Sequence, residues 1–171
     1  MTRILGALLI LTGGLAGGLE RVAFLRRQLR LTEALEESLH RLRADLTERL
    51  IPLPELLAEL AGRAPVPARG LFAALHTAMD RLGEENFGAI WATCVTQYPD
   101  PALDTALRDA LTALGGQLGR YSAAIQSEAL ERCITLLAQW GVDRRQRLQG
   151  NARLALGLYV CGALALVVLL L

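Results

Sequence analysis

Two apolar runs without a single charge bound this chain, and they restrict its possible architecture more than any other feature. Leu154 to Leu171, LALGLYVCGALALVVLLL, covers eighteen positions, and Ile4 to Leu19, ILGALLILTGGLAGGL, covers sixteen. Apolar stretches of about 18 or more residues are candidates to span a bilayer. At ~1.5 Å per residue the C-terminal run reaches about 27 Å. The N-terminal run is shorter, but Val22, Ala23, Phe24 and Leu25 extend it, with Glu20 and Arg21 near the interface. A cleaved signal peptide is the alternative for this run, and that signal needs its positive charge in front. Here only Arg3 precedes the run, whereas Arg21, Arg26, Arg27 and Arg30 follow it. The segment Leu15-Ala16-Gly17-Gly18 also lacks the Cys of a lipoprotein processing site. Retention as an anchor is therefore the expectation.

Arginines set the expected orientation. Four follow the first run, and Arg144, Arg145, Arg147 and Arg153 precede the second. Cytoplasmic flanks carry the excess of basic residues. The sequence thus reads as a membrane helix and flank over 1–25, a cytoplasmic domain over 26–153, and a second membrane helix over 154–171. The formal net charge of +1 argues against a nucleic-acid binder, which carries a distinctly basic face. Charge is nonetheless uneven: residues 50–127 hold five arginines against eight acids, and residues 128–153 hold five against three. Basic flanks also attract anionic headgroups, although fixing topology suffices to explain them. All eighteen basic residues are Arg, so no mechanism needing a lysine is available. There is no P-loop and no GxGxxG, hence no nucleotide-binding motif. Cys94, Cys133 and Cys161 lack CxxC spacing and read as small buried hydrophobes, in keeping with a reducing compartment.

The middle of the chain is expected to be all-α, an antiparallel bundle of about six helices whose first and last members extend into the two membrane spans. Leu35, Leu39, Leu42, Leu46 and Leu50 recur at four, three, four and four, one stripe of a helix that stops at Ile51-Pro52. Pro54 suits the first turn of a short helix over 54–61. A third helix is expected over 68–82, burying Leu71, Leu75, Met79 and Leu82 before Gly83. A fourth is expected over 86–97 with Phe87, Ile90, Trp91 and Cys94 inward, and Tyr98-Pro99-Asp100-Pro101 forms a turn. A fifth is expected over 102–114, ending at Gly115-Gly116. In the last and longest helix Ile125, Ala129, Cys133, Leu136 and Trp140 form the apolar stripe. No alternating β pattern occurs.

Little in the sequence suggests chemistry. His40 lies one turn after Glu36, a spacing that a surface pair explains without a site. A metal centre needs three or four converging ligands, which His40 and His76 do not supply, so neither cofactor nor metal is expected. Asp80, Glu84 and Glu85 cluster at a helix end, where capping and solvation explain them better than acid–base work. Ser38, Ser122 and Ser127 lack a pocket signature. Catalysis is not expected. The glycines of the first run form two overlapping small-xxx-small pairs, Gly13 with Gly17 and Gly14 with Gly18, which permit close helix approach. Gly157 with Cys161, and Gly162 beside it, offer a smaller matching face. Either the two runs pack together or they dock another membrane subunit; glycine is also simply common in membrane helices.

Several motifs, in order along nearly the whole chain, resemble stage III sporulation protein AB. They are the apolar opening with its Arg-rich exit; Ile51-Pro52-Leu53-Pro54-Glu55-Leu56-Leu57, similar to that family's Thr-Pro-Leu-x-Glu-Ala-Leu; and Trp91 in the central helix. Leu114-Gly115-Gly116-Gln117-Leu118-Gly119 is similar to Phe-Gly-x-x-Leu-Gly, with Gln126 downstream. Asn151-Ala152-Arg153-Leu154 and Gly157-Leu158-Tyr159-Val160-Cys161-Gly162 resemble the start of the family's final span. The chain departs from the family at Arg120-Tyr121, where an acid is common. The resemblance implies a non-enzymatic membrane component of the channel between mother cell and forespore, set in the outer forespore membrane. It implies a soluble domain similar to the platform proteins of type II secretion (the F family), which sit beside a cytoplasmic ATPase. Expected partners are thus a sporulation ATPase, other stage III channel subunits, the membrane and a second copy of the chain. Asp80, Glu84, Glu85, Asp100 and Asp104, on the mildly acidic body, are the candidate ATPase-facing residues, with a solvated face as the plain alternative. A membrane-bound enzyme or lipid-handling protein would need a polar cluster in a pocket, which the sequence does not suggest.

Overall fold

The computed structural model describes the backbone of residues 2–49, 51–119 and 122–170, and side chains at 17–49, 51–119 and 122–150. Six α-helices and no strand occur among them: α1 Thr2–Ala44, α2 Leu53–Arg63, α3 Val66–Ala78, α4 Phe87–Gln97, α5 Thr105–Gln117 and α6 Ala123–Leu170. The all-α expectation holds. Contacts divide the chain into two compact units, one of Met1–Leu29 with Val142–Leu171 and one of Arg30–Gly141. Among the described residues no helix is long and apolar enough to cross a membrane. The apolar runs expected to do so lie outside the residues whose side chains are described, apart from Gly17, Gly18 and Leu19.

The Arg30–Gly141 unit holds the core. Along α1 and the turn after it, Leu35, Leu39, Leu42 and Leu46 of the predicted leucine stripe are buried, as is Leu31 one turn earlier; Leu50 lies outside the described residues. Ser38 is buried among them because its hydroxyl donates to the Ala34 carbonyl at 2.7 Å, which removes the cost of an unmet polar group. α1 then widens into one π-helical turn, Asp45–Arg49, where the Thr47 hydroxyl donates to the Arg43 and Ala44 carbonyls at 2.9 and 3.1 Å. Pro52 starts α2 by accepting from the Glu55 and Leu56 N–H groups at 3.0 and 3.1 Å. With Pro54 in its first turn, α2 buries Leu53, Leu56, Leu57 and Leu60. α2 packs on α3, α3 on α4, and α4 on α5. The start of α6 meets the end of α1 through Arg43, which donates to Ser127 Oγ at 3.1 Å and pairs with Glu131 at 2.8 Å.

Four details depart from the sequence-based expectation. Leu82 is 45% exposed, because α3 tightens into a 3₁₀ turn at Met79–Arg81 and Leu82 itself is extended; the helical spacing that placed it inward has ended. Cys94 is half-buried, and Val95 takes the inward position. α5 begins at Thr105, where the Asp104 carboxylate accepts the Leu107 N–H at 3.0 Å, and it runs through Gly115-Gly116 instead of stopping there. On α6 the inward face is Gln126, Ala129, Leu130, Cys133, Ile134 and Leu137, whereas Ile125 and Leu136 are 44% and 42% exposed. That face is turned from the expected stripe by most of one residue's step of about 100°, because Ile134 and Leu130 also compete for the core.

Candidate functional site

α4 is the element on which the domain closes. The Trp91 indole N–H donates to the Leu111 carbonyl of α5 at 2.7 Å, and the ring lies against Gly115. A Cβ at Gly115 would overlap the indole carbons, so only glycine permits this approach. One turn earlier, Phe87 covers Gly119, whose φ of +78° is a conformation glycine adopts without cost. The Phe87 and Trp91 ring centroids lie 5.8 Å apart. At the far end of α4, the Tyr98 ring sits over Gly70 of α3, where a Cβ would strike its hydroxyl. Glycines on α3, on α5 and just past the end of α5 thus seat Tyr98, Trp91 and Phe87.

Arg108 fastens the other end of the same pair of helices. Its guanidinium donates to the carbonyls of Val95 at 2.6 Å, Thr96 at 2.8 Å and Tyr98 at 2.7 Å, and its Nε donates to Leu103 at 3.0 Å. The first three are carbonyls at the C-terminus and cap of α4, where a helix leaves its acceptors unmet; Leu103 lies in the connection to α5. The sequence reading missed this arginine. The available signal was an arginine one turn after the capping Asp104, facing a turn with two prolines.

The five acids proposed as an ATPase-facing group fall at opposite ends of α4. Asp80, Glu84 and Glu85 are exposed in the connection before it, and Glu85 pairs with Arg81 at 3.3 Å. Asp100 and Asp104 lie beyond its C-terminus, about 16 Å away along a helix of eleven residues. Both serve the backbone there: Asp100 accepts the Ala102 N–H at 2.9 Å, and Asp104 caps α5. The geometry separates an exposed acidic trio from two acids engaged in holding a turn.

A second charged region surrounds the π turn. Arg49 lies 3.4 Å from Asp45 and 3.3 Å from Glu59, and Glu59 also reaches Arg63 at 4.0 Å. Glu59 first, and then Asp45, raise the Arg49 guanidinium above its ordinary value. Two open hollows flank the turn, one lined by Arg41, Asp45, Glu59 and Arg63, the other by His40, Arg43, Thr47, Glu48 and Ser127. His40 and His76 are both exposed. Among the described residues no group of three or more His, Cys, Asp or Glu converges as metal ligands would. Burial pushes the Cys133 thiol up to about 11. It also raises Cys94, against the opposing influence of nearby Arg81. Of the glycines proposed for helix packing, Gly17 and Gly18 have open space around them, and Gly13, Gly14, Gly157 and Gly162 lie outside the described side chains.

The family model for stage III sporulation protein AB matches residues 3–171. The chain belongs to that family. No curated protein and no solved structure matches it. The family motifs now have physical reasons: Gly115 and Gly119 of Leu114-Gly115-Gly116-Gln117-Leu118-Gly119 are the seats of Trp91 and Phe87. The Pro52–Leu57 segment turns the chain out of the π turn and into α2.

Proposed function

We propose that this stage III sporulation protein is a non-enzymatic, membrane-anchored component of the channel between mother cell and forespore, and that its helical domain docks a cytoplasmic ATPase. Family membership over residues 3–171 carries the reading. The two charge-free runs at the ends of α1 and α6 support anchoring, and their arginine flanks support a cytoplasmic domain. The exposed trio Asp80, Glu84 and Glu85 is the preferred contact for the ATPase, since Asp100 and Asp104 are committed to the turn after α4.

The test combines location and binding. Membranes from cells expressing the full chain are extracted at alkaline pH, and cysteine-accessibility labelling assigns the side on which Arg30–Gly141 lies. The detergent-solubilised full chain is then titrated with the sporulation ATPase by calorimetry. Retention in the membrane and saturable binding that reversal of Asp80, Glu84 and Glu85 abolishes are the expected results. A folded, membrane-retained chain that does not bind the ATPase would overturn the docking role.

A further inference from the structure

Within the unit formed by Met1–Leu29 and Val142–Leu171, the described residues differ in charge from the rest of the described chain. Its described side chains, at 17–29 and 142–150, include six arginines, namely Arg21, Arg26, Arg27, Arg144, Arg145 and Arg147, against two acids, Glu20 and Asp143. That is an excess of four positive charges in 22 residues. All of these arginines except Arg144 are exposed. The body of the chain leans the other way, with five arginines against eight acids over 50–127.

Exposed apolar side chains are interleaved with the arginines. Leu19, Phe24 and Val142 are 62%, 41% and 57% exposed. Leu19 and Arg26 are seven residues apart on α1 and so share one side of the helix. Isolated exposed hydrophobes mean little, and basic residues near a span fix its orientation during insertion whatever the lipid. The combination goes further. Arginine stems lie along apolar surface while their heads reach outward, and interleaved large apolar and Arg side chains match the boundary between acyl chains and headgroups. Each basic group near an anionic leaflet adds a favourable term that a zwitterionic leaflet does not supply.

We propose that this arginine-rich unit is a selective binding surface for anionic phospholipid, so that the protein gathers phosphatidylglycerol-type headgroups around itself. The inference rests on the membrane anchoring argued above and adds the class of lipid. Free phosphate offers the same anionic chemistry but nothing for Leu19, Phe24 or Val142 to contact, and the favoured partner is therefore the lipid.

The experiment uses the full chain reconstituted in phosphatidylcholine vesicles in which about a third of the lipid is phosphatidylglycerol. Spin-labelled phosphatidylglycerol and spin-labelled phosphatidylcholine are compared for association with the protein. The expected preference for the anionic label is about threefold or more, and it falls as salt is raised. Combining Arg26→Gln, Arg27→Gln, Arg145→Gln and Arg147→Gln should bring the ratio towards one. Lysine at the same four positions should retain it, and Arg63→Gln in the helical domain should leave it unchanged. Inorganic phosphate added at constant ionic strength should not abolish it; abolition would identify a free-phosphate site and overturn the inference. Equal association of both labels with a chain that resists alkaline extraction would overturn the inference while leaving the anchoring intact. A chain washed out at alkaline pH would remove the anchoring and the inference together.

Discussion

Gly115 and Gly116 are adjacent and chemically identical, yet their surroundings assign them opposite sensitivities. A methyl group at Gly115 overlaps the Trp91 indole, so Gly115→Ala must displace the ring and strain its bond to Leu111, at a cost of about 1–3 kcal/mol. At Gly116 nothing lies within 4 Å, and Gly116→Ala should stabilise the helix by about 0.5 kcal/mol through reduced freedom of the unfolded chain. Urea unfolding of the two variants measures both, and equal effects would refute the assigned seat. Cys133 provides a pH-dependent test. Its thiol is raised from 9.0 to about 11 in the folded protein, so the unfolded chain ionises first as pH rises. Stability from this group is complete below pH 9 and declines between 9 and about 11, by about 3 kcal/mol in all. A Cys133→Ala variant should lose that part of the alkaline decline. Stability curves for the two proteins that are parallel across this range would show that the buried thiol is not responsible.

The six helices were legible because leucine spacing and proline position act locally. Pro52 and Pro54 mark the corner before α2 without reference to anything distant, and Leu35, Leu39 and Leu42 point inward as their spacing dictates. The errors arose where a distant partner decides. Gly115-Gly116 reads as a helix stop, but Trp91 on α4 keeps α5 helical through it. α4 also sets Asp80, Glu84 and Glu85 at one of its ends and Asp100 and Asp104 at the other, an arrangement of the acidic body that spacing alone does not give. Arg108 was only weakly signalled for the same reason, since most of its acceptors are carbonyls at the end of another helix. Its role leads to a distinct expectation. Arg108→Lys retains the charge but loses the planar set of donors, and it should destabilise the domain by about 2 kcal/mol. Protection of the α4–α5 connection in amide hydrogen exchange should fall more than protection of α2. A uniform loss of protection would place the arginine's contribution elsewhere.

Among the described residues, every member of the buried hydrophobic core lies between Leu31 and Leu137, within the compact unit Arg30–Gly141. This fragment should fold alone, with a helical circular dichroism spectrum and a single cooperative urea transition; a broad, non-cooperative transition would show that the remaining segments complete the core. α1 and α6, of 43 and 48 residues, each continue past the boundary of that unit. The stretches outside it were legible in the sequence as two charge-free runs, and that pattern together with the family match directs the proposals made for them. The position of Trp91 also has a practical side. The chain has two tryptophans; Trp91 is 1% exposed and hydrogen-bonded to α5, while Trp140 is partly buried at the edge of the core. With Trp140 replaced by Phe, the remaining fluorescence would come from a single shielded indole. A red shift in its emission would then signal parting of α4 from α5, giving the protein a built-in optical gauge for any partner that remodels the domain.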